Sequence, residues 1–165
     1  MEEWSNWQKE QQGGWANRGL KLIDYGRSID ITLYKPGTLF SGDCHTDSFR
    51  CIEMQKKLPW TFQPDIFGIA SVVHCLLFGE YMEVIHDSKT NRYKAKEPFK
   101  RYWQTDLWSH FFDVCLNIKD CNSIPNLNEL KKPFEQFILN DNNRPKAIKT
   151  LLCRQNIMMF EFDNK

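Results

Sequence analysis

The chain has 165 residues, enough for one domain with a hydrophobic core. Apolar residues make up 41% and aromatic residues 14% of it, which favours a packed interior over disorder. Its 22 basic and 21 acidic residues nearly cancel, so charge gives no reason to expect binding to nucleic acid or to a membrane surface. The first ten residues are acidic and polar, which is not typical of a secretory signal.

The first third of the chain predicts little regular structure. Residues 1–19 hold three tryptophans among polar residues without a sustained period, and we expect a loop or arm there. Short strands are predicted at residues 20–24 and 28–33. Residues 35–64 contain Pro-Gly, Ser-Gly and Leu-Pro breaks, which predict a long loop. Loops of that length within a compact domain usually serve a function.

The remainder predicts helices. Residues 66–79 are apolar on nearly every side, which predicts a helix enclosed by protein. Asp65 stands where the N-cap is expected, and Gly79 stands where the helix should end. The run is too short to cross a bilayer. Residues 86–104 are polar and basic and predict a loop that includes at most a short helix.

Two later helices carry recognisable start signals. Thr105 or Asp106 is predicted to cap the first, and Asn126 with Glu129 three residues on resembles a capping box for the second. Helical spacing in the first predicts an inner face made of apolar side chains, namely Leu107, Phe111, Val114, Cys115 and Ile118.

Pro133 lies inside the second of these helices and should kink or split it. A last helix is predicted from residue 143 to about residue 159. The prediction is therefore a mainly α fold, with one or two short strands, a long loop and then four or five helices. We expect an arm at 1–19, one domain at 20–160 and a tail at 161–165.

Six cysteines are dispersed along the chain without a CxxC pair. In the absence of a signal peptide they are predicted to be reduced thiols packed as small apolar side chains. A zinc site from Cys44, His45 and Cys51 is an alternative, although the spacing fits none of the usual zinc motifs.

Three acidic residues stand at informative intervals. Asp24-Tyr25-Gly26 follows an apolar stretch, Glu53 lies 29 positions after Asp24, and Asp65 lies 12 positions after Glu53. In protein kinases a metal-binding Asp opens an activation segment of roughly 20 to 35 residues that closes on a Glu. A further Asp then begins a buried helix. The order and spacing favour this interpretation over three unrelated turns.

Four stretches then carry a family resemblance: LIDYGRSIDITLYKPGTLF, FRCIEM, PWTFQPDIFGIASVVHCLLFGEYMEV and DLWSHFFDVCLNIKDC. Together they resemble the C-terminal lobe (C-lobe) of the Bub-type mitotic checkpoint serine/threonine protein kinases. The resemblance covers about residues 20–125 and extends more loosely to the final helices. Because Asp24 and Gly26 are both present, it is closer to the active branch of the family than to the pseudokinase branch.

The resemblance implies a role for each motif residue. Asp24 would coordinate the Mg²⁺ that bridges the β- and γ-phosphates of ATP. Tyr25 takes the place of the usual Phe, and Gly26 permits the backbone reversal that positions the carboxylate. Glu53 would pair with a basic residue late in the lobe, and Asp65 would accept hydrogen bonds from the catalytic-loop backbone. The partner of Glu53 stays open between Arg144 and Lys119.

The segment between Asp24 and Glu53 also offers hydroxyl groups for regulation. Thr46 and Ser48, nearest its substrate-positioning end, are the favoured candidates for phosphorylation, although solvated loop hydroxyls are an equally good interpretation of any one of them.

Several parts of an active kinase do not occur in the sequence. We find no Gly-rich loop, no strand Lys with its helix Glu, and no H-R-D-x-x-x-x-N catalytic loop, and the four histidines all follow the Asp24 motif. No catalytic residue is therefore predicted within these 165 residues. We expect a kinase fragment without its N-lobe that neither phosphorylates a substrate nor binds ATP and Mg²⁺ tightly by itself.

For the full-length protein, the resemblance implies a spindle-checkpoint kinase that transfers phosphate from Mg-ATP to Ser or Thr. It implies a histone tail as substrate, checkpoint and kinetochore proteins as partners, and a location in the nucleus, at kinetochores and in the cytoplasm. A non-catalytic, pseudokinase-like scaffold for such partners is the alternative. An unrelated small helical enzyme is a third hypothesis, but the sequence offers no nucleophile–base pair or metal-ligand set for it.

Overall fold

The computed structural model describes residues 23, 25–140, 146–147 and 150–151. They divide into two compact units, one of residues 27–131 and one of the residues up to 26 and from 132 onward. The predicted arm at 1–19 and tail at 161–165 lie outside the described residues, as does most of the predicted helix after residue 143.

Helices dominate the described part of the chain, as predicted. They are α1 (Ile52–Gln55), α2 (Gln63–Phe78), α3 (Thr105–Leu116) and α4 (Leu127–Leu139), and the strands are β1 (Val84–Asp87) and β2 (Arg92–Ala95). Short 3-10 turns occur at Tyr25–Arg27, Ile31–Leu33 and Asp47–Phe49.

Helix α2 begins earlier than the sequence indicated. Its first i→i−4 hydrogen bond runs from the Ile66 N–H to the Phe62 carbonyl at 3.1 Å, so Phe62 is the N-cap. Asp65 lies in the first turn, and its prediction as N-cap was wrong. Pro64 explains the shift, because proline fits the start of a helix, where its missing N–H costs no hydrogen bond. The predicted end is confirmed, since Gly79 is the C-cap with φ of 79°.

The two faces of α2 have different surroundings. One face is buried and supplies Ile66, Phe67 and Ala70 to the core of the larger unit. The opposite face is an exposed apolar stripe of Ile69, Val72 and Leu76, which helical spacing places in one line. The prediction of a helix enclosed on all sides therefore holds for one face only. None of the described helices is long and apolar enough to span a membrane.

Helix α3 packs against α2 and β2 and completes the core. The predicted inner-face residues Phe111 and Cys115 are buried, whereas Phe112 and Leu116 were missed. Neither Thr105 nor Asp106 is the cap, because the Trp108 N–H bonds the Gln104 carbonyl at 3.1 Å and the helix begins directly after Gln104. Burial of a Phe or Leu side chain such as those in the core face of α3 contributes roughly 1.5–3 kcal/mol to stability. The core side chains of α3 are Phe111, Phe112, Cys115 and Leu116.

Helix α4 begins where predicted. Asn126 accepts a hydrogen bond from the Asn128 N–H through Oδ1 at 2.9 Å, which identifies it as the N-cap. Pro133 lies within the helix without splitting it, so that alternative was wrong. Backbone bonding resumes beyond the proline, where the Asn140 N–H bonds the Gln136 carbonyl at 2.8 Å.

The loop predicted at residues 86–104 instead contains most of an antiparallel hairpin. Strand β1 pairs with β2 in a register that places Val84 opposite Ala95 and Asp87 opposite Arg92. The connecting turn uses Asn91 at φ of 54°, a left-handed conformation that asparagine tolerates well. The strand predicted at 28–33 was wrong, because Ile31–Leu33 forms a 3-10 turn with Asp30 as its cap.

We predict that the exposed stripe of α2 limits the solubility of the 165-residue chain. Leu76 is 72% exposed, so Leu76→Gln should change the free energy of unfolding by less than about 0.5 kcal/mol and raise the soluble concentration. Light scattering after size-exclusion chromatography measures how far the chain associates through this stripe. Leu116→Gln, at a site only 3% exposed, is the control and should unfold the chain. Equal association of Leu76→Gln and the parent chain would contradict the prediction.

We predict opposite effects of alanine substitution at two glycines, one within α2 and one at its C-cap. Gly79→Ala should lower the free energy of unfolding by about 1 kcal/mol, because φ of 79° is strained for alanine. Gly68→Ala should raise it by about 0.5–1 kcal/mol, because Gly68 is helical and nothing lies within 4 Å of an added Cβ. Urea unfolding of both variants checks the signs, and a shared sign would show that the two backbone conformations are not as described.

Candidate functional site

The proposed metal motif lies at the edge of the described residues. Asp24 is outside them, while Tyr25 and Gly26 belong to the 3-10 turn Tyr25–Arg27. The Tyr25 side chain is exposed. The structure therefore shows the backbone conformation of Tyr25 and Gly26. The roles assigned to Asp24, Tyr25 and Gly26 remain predictions.

The segment after this turn is held by hydrogen bonds among its own residues. The Arg27 guanidinium donates to the Cys44 carbonyl, which joins positions 17 residues apart. Asp30 accepts from the Thr32 hydroxyl at 2.6 Å and from its N–H at 3.0 Å, and these bonds lower the pKa of Asp30. The segment thus keeps a defined shape although most of its side chains are exposed.

A single bridge ties the middle of the segment to the start of α2. Phe40 and Trp60 exchange two backbone hydrogen bonds of 2.9 Å, and the Trp60 indole N–H donates to the Gly42 carbonyl at 3.2 Å. Their rings lie 5.5 Å apart between centroids, and Tyr34 meets Phe40 edge-on at 5.1 Å. This aromatic cluster is the apolar anchor of the segment.

The predicted phosphorylation sites lie beside an ion pair. Arg50 contacts Asp43 at 2.7 Å, and Asp43 also accepts from the His45 N–H at 3.0 Å, which is the main reason that the pKa of Asp43 is lowered. The Thr46 side chain is exposed, and its hydroxyl donates to the Cys44 carbonyl at 3.3 Å. Ser48 is partly exposed in the turn Asp47–Phe49.

Glu53 lies in the short helix α1, between the buried side chains Ile52 and Met54. Its carboxylate lies near the Cys51 thiol, whose pKa is raised to about 12, mainly by burial and further by the charge of Glu53. Among the described residues no cation pairs with Glu53, and Lys119 is exposed. Arg144, the other predicted partner, lies outside the described residues.

Asp65 lies at the start of the exposed stripe of α2. Partial burial of its carboxyl group raises the pKa of Asp65, and a hydrogen bond from its own backbone N–H opposes that shift. The catalytic-loop donors that the resemblance implied for it are not among the described residues. Its predicted structural role therefore remains a prediction.

Metal binding by cysteine and histidine finds no support. The described residues contain no group of three His, Cys, Asp or Glu side chains that could hold a metal ion, so Cys44, His45 and Cys51 do not assemble a zinc site. Five cysteines are described, all as free thiols, which agrees with the predicted reduced state. Cys153 lies outside the described residues.

Sequence reasoning missed a polar group that ties the hairpin to α3. Asn117, the C-cap of α3, donates to the Tyr93 carbonyl at 2.9 Å and accepts from the Tyr93 N–H at 2.7 Å. Arg92 binds Asp113 through two bonds of 2.6 Å. Asn91, a residue type that tolerates the positive φ of this turn, was the available signal in the sequence.

Comparison with known proteins found no matching family model. The chain is 38% identical over 154 residues to the mitotic checkpoint serine/threonine-protein kinase BUB1 of Arabidopsis thaliana, a match that covers 91% of the chain and 29% of that protein. It is 42% identical over 113 residues to the spindle assembly checkpoint serine/threonine-protein kinase BUB1 of Saccharomyces cerevisiae, covering 68% of the chain and 11% of that protein. The chain thus spans less than a third of the length of these relatives.

The fold agrees with these sequence matches. A crystal structure of the BubR1 kinase domain superimposes on the chain with a TM-score of 0.73 at 39% identity, and the match covers 79% of the chain and 39% of the BubR1 chain. The predicted protein-kinase-like C-lobe fragment is confirmed by this likeness.

The buried thiols give a prediction that tests the site's packing. Burial raises the pKa of both Cys51 and Cys115 to about 12, so at pH 8 very little of either thiol is ionised. Iodoacetamide should therefore label the partly exposed Cys44, Cys75 and Cys121 well before Cys51 and Cys115. Peptide mass spectrometry reads the order, and urea should abolish it. Labelling of Cys51 as fast as Cys44 in the folded chain would contradict this packing.

Proposed function

We propose that this chain, which belongs to the Bub1/BubR1 family of mitotic checkpoint kinases, forms the part of a serine/threonine kinase domain that contains the activation segment. In the full-length protein this domain transfers the γ-phosphoryl group of Mg-ATP to a Ser or Thr of a protein substrate. The observation that carries the proposal is the similarity to named serine/threonine kinases over most of the chain.

In this proposal the chain contributes one carboxylate ligand for the metal ion and the activation segment. Asp24 is the carboxylate proposed to bind Mg²⁺, and a hard oxygen donor is the ligand chemistry that this ion prefers. Magnesium supplies neutralisation of the phosphate charge when it is bound. One carboxylate fits such a site only as one ligand among several. The other ligands, the Gly-rich loop and the catalytic loop would come from outside these 165 residues.

The segment from Arg27 to Trp60 is proposed to present the protein substrate. The Arg27–Cys44 bond and the Phe40–Trp60 bridge fix its two halves, and the side chains of residues 28–37 are exposed. A phosphate on Thr46 or Ser48 would compete with Asp43 for the Arg50 guanidinium, because a phosphate carries more charge than a carboxylate. We propose that such a modification rearranges this end of the segment.

Partners and location follow from the same family membership. A histone tail is the proposed substrate class, and checkpoint and kinetochore proteins are the proposed partners. The proposed location is the nucleus and kinetochore, together with the cytoplasm. The non-catalytic scaffold is not favoured, because relatives that are 38% and 42% identical to the chain are named as kinases.

A chimera tests the proposal. We would replace the matched 154-residue region of the Arabidopsis relative with this chain and measure phosphate transfer from Mg-ATP to a histone-tail peptide. The chimera should be active, and Asp24→Asn should lower its rate by on the order of 100-fold or more, because the metal's ligand is lost. The isolated 165-residue chain should transfer no phosphate.

Asp106→Asn, at an exposed position in the first turn of α3, is the matched control and should keep the chimera's rate. A folded chimera without activity would contradict catalysis and favour the scaffold. A folded Asp24→Asn chimera as active as its parent would refute the role of Asp24. Thermal melting of each variant separates these results from loss of the fold.

A further inference from the structure

The β1–β2 hairpin has one edge that the protein itself closes. The outward N–H and carbonyl of Tyr93 in β2 are both bonded to the Asn117 side chain, at 2.7 and 2.9 Å. Asn117 is the C-cap of α3, so the end of α3 closes this edge. Arg92 adds two bonds of 2.6 Å to Asp113 of α3 and holds the hairpin in place. The edge that is left for a further strand is that of β1.

The phase of the ladder shows which backbone groups of β1 face outward. The Lys96 N–H bonds the Glu83 carbonyl at 2.9 Å, so these two residues form a hydrogen-bonded pair just beyond the strands. In an antiparallel ladder such pairs alternate with pairs whose N–H and C=O groups point away from the partner strand. The register therefore turns the backbone groups of Val84 and His86 outward. The outward groups of Tyr93, which lies opposite His86, give the same phase from the other strand.

This outward row on β1 is open. The outward groups of Val84 and His86 have no hydrogen-bond partner among the residues that the structure describes. The strand contains no proline or lysine and its register has no bulge, and these are the devices that usually protect an exposed edge. The His86 side chain is exposed. An extended segment placed here can therefore exchange two backbone hydrogen bonds with each of the two residues.

The side chains on the outer face of β1 select the chemistry of such a segment. Glu83, Ile85 and Asp87 lie on this face, because side chains two residues apart share a face. Both carboxylates have lysine partners on the β2 side, but solvent-accessible ion pairs are weak. These pairs are Glu83–Lys96 at 2.5 Å and Asp87–Lys94 at 3.1 Å. An added strand would lie directly beside the carboxylates, with the lysines one strand further away.

A second copy of β1 does not suit this edge. Antiparallel pairing through both Val84 and His86 places the Ile85 side chains of the two copies opposite each other. The same register places Glu83 of one copy opposite Asp87 of the other, and like charges directly opposite destabilise a strand pair. A strand with basic residues at these two positions and an apolar residue between them complements the whole face.

We propose that the β1 edge binds an extended peptide segment of a partner protein by strand addition. The peptide runs antiparallel to β1 and carries basic, apolar and basic residues at alternate positions. Its backbone bonds Val84 and His86. Its basic side chains lie opposite Asp87 and Glu83, and its apolar side chain covers Ile85, which is 39% exposed. None of these residues is assigned to phosphate transfer, so the proposal is independent of catalysis.

A seven-residue peptide with Lys at its second and sixth positions, Val at its fourth and Thr elsewhere is the probe. With the Val opposite Ile85, the two Lys lie opposite Asp87 and Glu83. We would titrate it into the ¹⁵N-labelled 165-residue chain and follow the amide signals of Val84 and His86 by NMR. They should shift with a dissociation constant on the order of 0.1 mM, because a free peptide loses conformational entropy on binding. No shift at about 1 mM peptide would overturn the proposal.

Methylation of single backbone nitrogens in the peptide separates strand addition from other modes of binding. The N–H groups of its third and fifth residues point toward β1, and that of the fourth residue points away. N-methylation of the third residue should weaken binding on the order of tenfold, because a hydrogen bond is lost and the methyl group meets the strand. N-methylation of the fourth residue is the matched control and should change the affinity by less than about threefold. Equal effects of the two methyl groups would rule out pairing at this edge.

His86→Pro makes the corresponding test in the protein. Proline removes the outward N–H and is tolerated on an edge strand, whereas His86→Ala removes the same ring and keeps the N–H. Affinity should fall on the order of tenfold for His86→Pro and stay within about twofold for His86→Ala. Equal affinities of the two folded variants would contradict the proposal. If thermal melting shows that His86→Pro does not fold, the methylated peptides decide.

Charge and self-association test the choice of occupant. A peptide with Glu in place of both Lys should bind on the order of tenfold more weakly, because it places like charges opposite Glu83 and Asp87. Equal binding of the two peptides would refute the basic chemistry of the partner. Sedimentation of the parent chain should show no dimer that His86→Pro abolishes, and such a dimer would make a second copy the occupant instead.

Discussion

The inner face of α2 carries polar side chains into the core, and the structure around it depends on satisfying them. Gln63, Ser71 and His74 are all buried, and an unpaired polar group there costs roughly 1–3 kcal/mol. Gln63 accepts from the Thr61 N–H at 2.7 Å and donates to the Cys121 sulfur at 3.4 Å. Since Cys121 follows α3, one amide joins the start of α2 to the end of the next helix. Near the other end of α2, the two ring nitrogens of His74 form hydrogen bonds with the Glu80 carbonyl and the Glu97 side chain.

This arrangement explains why the segment before α2 can be exposed and still have a shape. Its end is buried through Cys51, Ile52, Met54 and Trp60, which lie in or beside α1 and directly before α2. The earlier residues rely on short-range bonds such as Thr32 to Asp30, and their large apolar side chains remain exposed. A segment with few buried contacts opens at little cost in free energy. That suits the role proposed for the segment, which is to present a protein substrate.

The sequence predicts what is local and periodic. The apolar run of α2, the stop at Gly79 and the Asn126 cap were all readable, because each depends on residues within one or two turns. The hairpin was not readable, because its strands mix charged residues whose partners lie elsewhere, as Arg92 does with Asp113 21 positions away. The spacing of Asp24, Glu53 and Asp65 favoured a kinase interpretation, and the four stretches around them carried the resemblance to the family. The partners that the resemblance implies for these carboxylates are not among the described residues.

Asp65 and the stripe beside it share one physical cause. Both lie on the outer face of α2, where a carboxylate is partly desolvated and Ile69, Val72 and Leu76 meet water. Desolvation favours the protonated carboxyl, so the pKa of Asp65 is raised and its ionised form destabilises this fold as pH rises through that pKa. An N–H donor placed against Asp65 would reverse the sign, because hydrogen bonds to a carboxylate favour its charged form. A segment that covered the stripe while donating to Asp65 would gain apolar burial and a charge-assisted hydrogen bond at once.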